Sequence, residues 1–265
     1  VEEANAHYGG HWNLLLPGPI TWFLRRGANE PFEKDGLYRV GSPAEMFEMI
    51  RRTGSLAFTA HPRTKGSTGF PDAYQDQAFY KDASFLGGGF KAMPSDYSSP
   101  RLGERALKLL DDMNNWGQRK FLVGEVDVFK IDHSHELWGH MNINYVKLRA
   151  TPKFPDWTPL LTALKAGDFF VTTGEIVLHG VDLREAAGQI TGEAEVAWTF
   201  PLQMLELVWG DGQETHRQLV TLGETRAHGR GKFPFAAKAP GAKWARFAVW
   251  DVAANGAFTQ PVRFD

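Results

Sequence analysis

The sequence predicts an α/β protein in two parts: a barrel-like alternation of helices and strands over residues 1–178, then a small all-β, sandwich-like domain over residues 179–265. Three observations predict it. Residues 42–62 read as helix, glycine, strand and then His-Pro, the rhythm of a β/α barrel whose chemistry sits at the C-terminal strand ends. Residues 158–173 repeat that rhythm, with TPLLTALKA as helix, Gly167 as stop and FFVT as strand. From about residue 177 short alternating pieces take over, separated by turn signals such as Gly210-Asp211-Gly212 and Asn255-Gly256.

Taken in order, residues 2–11 crowd Glu2, Glu3, His7 and His11 ahead of an apolar strand candidate, Trp12 to Leu16. The opening Glu-Glu pair reads as the end of a strand already under way. The helix of residues 42–53 has Ser42 as N-cap, Pro43 at the first helical position and Glu45 closing a capping box. Gly54 ends it. The strand Ser55 to Ala60 runs into His61, and Pro62 stops it there, which places His61 at the rim. Residues 63–103 are rich in Gly, Pro and Ser and predict a lid or substrate loop. Arg63, Lys65 and Arg101 are its candidate anion contacts. Residues 103–115 predict a helix, and Phe121 to Ile131 a strand.

That strand leads into the most distinctive stretch, GEVDVFKIDHSHELWGHM at 124–141. It holds His133, His135 and His140 among Glu125, Asp127, Asp132 and Glu136. Imidazoles and carboxylates gathered at a strand end suit a divalent metal. His133 and His135 flank one residue, so an extended backbone points both to one face. The same stretch also reads as a solvated, His-rich loop.

Composition narrows the classes. A net charge of −2 and a pI near 6.5 supply no basic field for nucleic acid and no polybasic membrane patch. No run approaches the roughly 18 apolar residues of a membrane span. There is no cysteine, so any metal must be held by His and carboxylate. The start at Val1 suggests a processed or truncated part of something longer, with a secreted or periplasmic location favoured over a cytoplasmic one.

Four stretches together resemble the PHP (polymerase and histidinol phosphatase) superfamily of metal-dependent hydrolases, in its carbaryl-hydrolase-like branch. They are EEANAHYGGHWNLLLP, FTAHPR, LTALKAGDFFVTTGEI and WARFAVWDVAANGAFTQPVRF. The resemblance covers most of the chain and rests on their order and spacing. It implies a distorted (β/α)7 barrel with two or three metals, zinc or manganese or else iron. Glu3, or Glu2, matches a metal-bridging glutamate, His11 matches the His of the family's Gly-Gly-His-Trp segment, and His61 matches that of its strand-end His-Pro. The late Asp-x-His motif falls in IDHSHELWGH, where His133 and His135 would substitute, or Asp132 with His135 or His140 would serve. The family's opening His-x-His strand is absent, which implies that an upstream segment or a second chain completes the barrel, or else that the site has degenerated.

The resemblance implies a hydrolase acting on a phosphoester or related ester, with a small-molecule or carbohydrate-derived substrate and no nucleic-acid or membrane partner. Glu3, His61, Asp132, His135 and His140 would hold metal. His11 or His133 would be ligand or proton donor, Arg63 would pin an anionic substrate, and Arg101 and Lys65 would bind it. The alternative is a catalytically degenerate module that binds a carbohydrate or a partner chain. Trp198, Trp209, Trp244 and Trp250 would then be partly exposed stacking surfaces.

Overall fold

A computed structural model describes residues 11–63, 71–92, 99–127, 142–223 and 225–264, and the backbone alone of residues 2–4. Strands account for 42% and helices for 17%, and among the described residues no sheet closes into a barrel. The expected (β/α)7 barrel is therefore not what forms. The chain divides instead into two compact units, residues 1–89 with 146–168 and residues 90–145 with 169–265.

The first unit contains β1 (Glu2–Ala4), β2 (Trp12–Leu15), β3 (Thr21–Phe23), β4 (Glu33–Lys34) and β5 (Leu37–Arg39). Helix α1 (Pro43–Thr53), β6 (Leu56–Thr59), α2 (Ala78–Lys81) and β7 (Phe85–Phe90) follow. The chain enters the second unit with α3 (Glu104–Asn115), β8 (Phe121–Gly124) and β9 (Ile143–Val146), and returns to the first for α4 (Thr158–Ala166). It ends in the second with β10 (Phe169–Thr172), β11 (Ile176–Ala186), β12 (Gln189–Trp198), β13 (Leu202–Gly210) and β14 (Thr215–Thr221). The last strands are β15 (Gly229–Lys238), β16 (Trp244–Asp251), β17 (Gly256–Thr259) and β18 (Val262–Arg263). Among the described residues no helix is long and apolar enough to cross a membrane.

In the first unit, local chemistry sets α1. The Ser42 hydroxyl accepts the Glu45 N–H at 3.2 Å, and Gly54 at φ 66 turns the chain out in the left-handed conformation. Met46, Phe47, Met49 and Ile50 form the buried face. Pairing of the strands then departs from a barrel. β1 with β2 and β2 with β6 are antiparallel, whereas β6 with β7, and β3 with β5 in a separate small sheet, are parallel. A β/α barrel needs every neighbour parallel, so the antiparallel β2 laid beside β6 removes that option. Trp12, 1% exposed, packs on Phe79 and Phe85 with ring centres 5.1 Å apart in both cases. The stretch read from sequence as a lid or loop thus contains a fully buried strand, β7.

The second unit is built on two sheets. One has the order β14-β13-β16-β17-β10-β9, with β18 also on β16, and the other is β11-β12-β15. Leu205, Leu207, Phe247 and Val249 of the first share one core with Ile190, Val196 and Phe235 of the second. The Phe235 and Phe247 rings stack at 5.2 Å. β10 pairs antiparallel with β17, Val171 opposite Phe258. The FFVT strand that the sequence places in the barrel belongs to this sheet. The expected strand from Phe121 ends at Gly124, because Asp127 takes φ 59 and its carboxylate meets the buried Lys91 amine at 2.9 Å.

Helix α3 carries charge into this core. The carboxylate of Asp111 accepts two hydrogen bonds from Arg246, at 2.7 and 2.8 Å, and both side chains are essentially without solvent. Burial pushes the Asp111 carboxyl up, against the pull of Arg246. Glu206 accepts from Arg101 Nε and from Trp250 Nε1, each at 2.7 Å. Burial pushes Glu206 up as well, but the Arg101 hydrogen bonds and the Arg217 and Arg246 charges outweigh it and hold the carboxyl below its ordinary value. Trp244 and Trp250 are fully buried, which removes them as stacking surfaces, and Trp198 and Trp209 are half-buried against the shared core.

One turn here has a defined acid response. Asp211 Oδ1 accepts the N–H groups of Glu214 and Gln213 at 2.8 Å each, and Oδ2 lies 3.3 Å from His216 Nε2. These contacts lower its pKa from an ordinary 3.8 to about 2. A depressed carboxylate stabilises the fold above its unfolded value and loses that contribution as pH falls through the folded value. The Gln213 and Glu214 amide resonances are expected to titrate with a midpoint near 2. A midpoint at the ordinary carboxylate value would show that the turn does not hold in solution.

Candidate functional site

The antiparallel pairing of β2 with β6 sets Trp12 opposite Thr59. One step outward, the Ala60 N–H donates to the His11 carbonyl at 2.9 Å, so His11 and the end of β6 lie at the same edge of the sheet. His61 follows directly. The two imidazoles stand with centres 5.0 Å apart and planes at 75°. His61 is 3% exposed and His11 half-buried.

The backbone at this edge is unusual. His61 has φ 34 and Arg63 has φ 55, the left-handed region that side chains rarely adopt. Such positions cost on the order of 1–3 kcal/mol each and persist where the surroundings over-determine them, often at functional sites. Two residues before His61, the buried Thr59 hydroxyl has no hydrogen-bond partner among the described residues.

Two imidazoles bound at about 2.0–2.1 Å to one tetrahedral ion place their ring centres roughly 5 Å apart. Glu3 stands opposite Asn13 in the register of β1 with β2, on the strand next to His11. Arg63 is held by Asp72, with Nη2 to Oδ1 at 2.6 Å and Nε to Oδ2 at 3.2 Å. Its fork is therefore fixed beside His61. Tyr80, buried nearby in the same unit, is pushed up first by burial and then by the Asp72 charge, so its phenol stays protonated.

The structure brings together His11 and His61 and sets Arg63 two residues away. Arg101 lies in the second unit, where its guanidinium is spent on Glu206. Lys65, Asp132, His133, His135 and His140 lie outside the described residues. Among the described residues no group of three or more His, Asp or Glu side chains is placed to hold a metal. Sequence reasoning missed Asp72, whose only signal is an acid nine residues from Arg63 across a Gly-rich stretch. No family model, no curated protein and no solved structure matches this chain.

Proposed function

We propose that the chain is a metal-dependent hydrolase with a metal-holding edge at the end of β6. The observation that carries this is the pair His11 and His61, with ring centres 5.0 Å apart on neighbouring strands. Both would serve as ligands, with Glu3 of the adjacent strand as the carboxylate donor. A divalent ion bound there would supply Lewis acidity toward an ester or phosphoester oxygen and acidify water toward neutrality.

The chain's own groups have distinct parts. His61, buried and backbone-fixed, orients. His11, half-buried and so more open, would present the second imidazole at the same strand end. Arg63 is held by Asp72 in a geometry that keeps its charge near the strand end. With zinc or manganese as the leading ions for N/O donors, the substrate class is a phosphoester or a related ester.

The test is metal content after reconstitution and gel filtration, measured by mass spectrometry on the wild type, His61→Ala and His11→Ala. The wild type is expected to keep about one ion per chain and each variant to lose it. A wild type that keeps no zinc, manganese or iron sinks the proposal, and so does a His61→Ala variant that binds as the wild type does. His135→Ala, assayed alongside, decides whether the His-rich stretch contributes metal.

A further inference from the structure

The first unit has a second polar concavity. A cleft of about 460 Å³ opens beside the start of β6, between the C-terminal end of α1 and the outer face of α4. Ser55 and His61 bracket β6, so at about 3.3 Å per residue the cleft is roughly 20 Å from the histidine pair. It is therefore a separate place on the same strand.

Its lining includes the hydroxyl residues Thr53, Ser55, Ser84, Thr158 and Thr162 beside Lys165, with Asp82 turned to the Ser84 N–H, whose hydrogen bond it accepts at 2.7 Å. The Thr53 hydroxyl donates to the Met49 carbonyl at 2.8 Å and lies 2.7 Å from the Ser55 hydroxyl, and Lys165 Nζ donates to the Ser84 hydroxyl at 3.3 Å. No carboxylate pairs with Lys165 among the described residues. Arg51, also on the rim, is taken by Glu48. A hydroxyl such as that of Ser84 or Thr162 can donate or accept, and such groups complement a ligand whose own groups do both. Polyols and sugars have that property, whereas an apolar ligand would leave the wall unsatisfied.

A second observation points the same way. Phe154 is 84% exposed and Trp157 38%, with rings 6.5 Å apart and edge to face. Trp157 directly precedes Thr158 of the cleft wall. Aromatic rings usually bury their faces, and an exposed pair next to a hydroxyl-lined cleft offers the C–H face of a sugar ring a surface to stack on.

We propose that this cleft binds a monosaccharide bearing one acidic group, with Trp157 and Phe154 against the ring and Lys165 meeting the acid. Ligand-observed NMR titrations with glucuronate, a hexose monophosphate, glucose and inorganic phosphate test it. The two acidic sugars are expected to bind about tenfold tighter than glucose, as one charge-assisted hydrogen bond provides, and phosphate alone is expected not to bind. Lys165→Met should abolish the preference for acidic sugars. Trp157→Ala should weaken all three sugars. Both side chains are exposed, so both variants are expected to fold, which circular dichroism checks. Absence of sugar binding, phosphate binding as well as the acidic sugars do, or an unchanged preference in Lys165→Met would each overturn the proposal.

Discussion

Replacing Arg246 with methionine is expected to cost about 3–5 kcal/mol, because it leaves the Asp111 carboxylate buried without its partner. Both side chains are fully enclosed, and the two hydrogen bonds between them are short and parallel. The loss should appear as a lower urea midpoint with an unchanged slope. The paired replacement Asp111→Leu with Arg246→Met should recover most of it. Two desolvation penalties disappear together, and the Arg246 Nη1, which has no partner among the described residues, no longer needs one. A single-variant cost below about 1 kcal/mol, the scale of an exposed pair, would mean that the two groups are hydrated in solution. Equal costs for the single and paired variants would mean that packing, not charge, dominates.

Gly210→Ala is expected to cost about 1–3 kcal/mol by overpacking. Gly210 ends β13 opposite Trp244, and an added Cβ would run into the Trp244 indole and the Asn115 amide oxygen. Neither can easily yield. Trp244 is fully buried, and Asn115 Oδ1 already accepts the Trp244 indole N–H at 2.9 Å and the Gly212 N–H at 3.3 Å. The melting temperature should fall by roughly 2–4 °C per kcal/mol for a chain of this size. Gly223→Ala is the control, since nothing lies within 4 Å of a Cβ there. If the two variants melt together, the close packing around the end of β13 is wrong.

What could be read from the sequence was local. α1 was legible because Ser42, Pro43, Glu45 and Gly54 act within one helix, and the helix–glycine–strand run at 158–172 was legible for the same reason. The choice of partner for each strand was not legible. Whether β10 joins a parallel ring or lies antiparallel to β17 is decided by residues almost ninety positions away, and no spacing in FFVT records it. β7 was hidden because Gly87, Gly88 and Gly89 dilute its apolar signal, although Phe85, Leu86 and Phe90 frame it. Of the candidate site, His11 and His61 were legible as residue types at strand ends. Their approach to 5.0 Å depends on the β2–β6 register. Arg101 carried no sign that a carboxylate 105 residues on would take its charge.

The ion pair inside the second unit also sets a timetable for biosynthesis. Asp111 and Arg246 are 135 residues apart. At about 5–20 residues per second on the ribosome, the acid emerges roughly 7–27 s before its partner exists. Through that interval α3 carries a carboxylate among its apolar side chains, and β16, which brings the paired guanidinium, is not yet made. Nascent chains stalled before and after Arg246 should differ sharply in protease resistance around α3, and a factor that shields this helix during translation would act in that window.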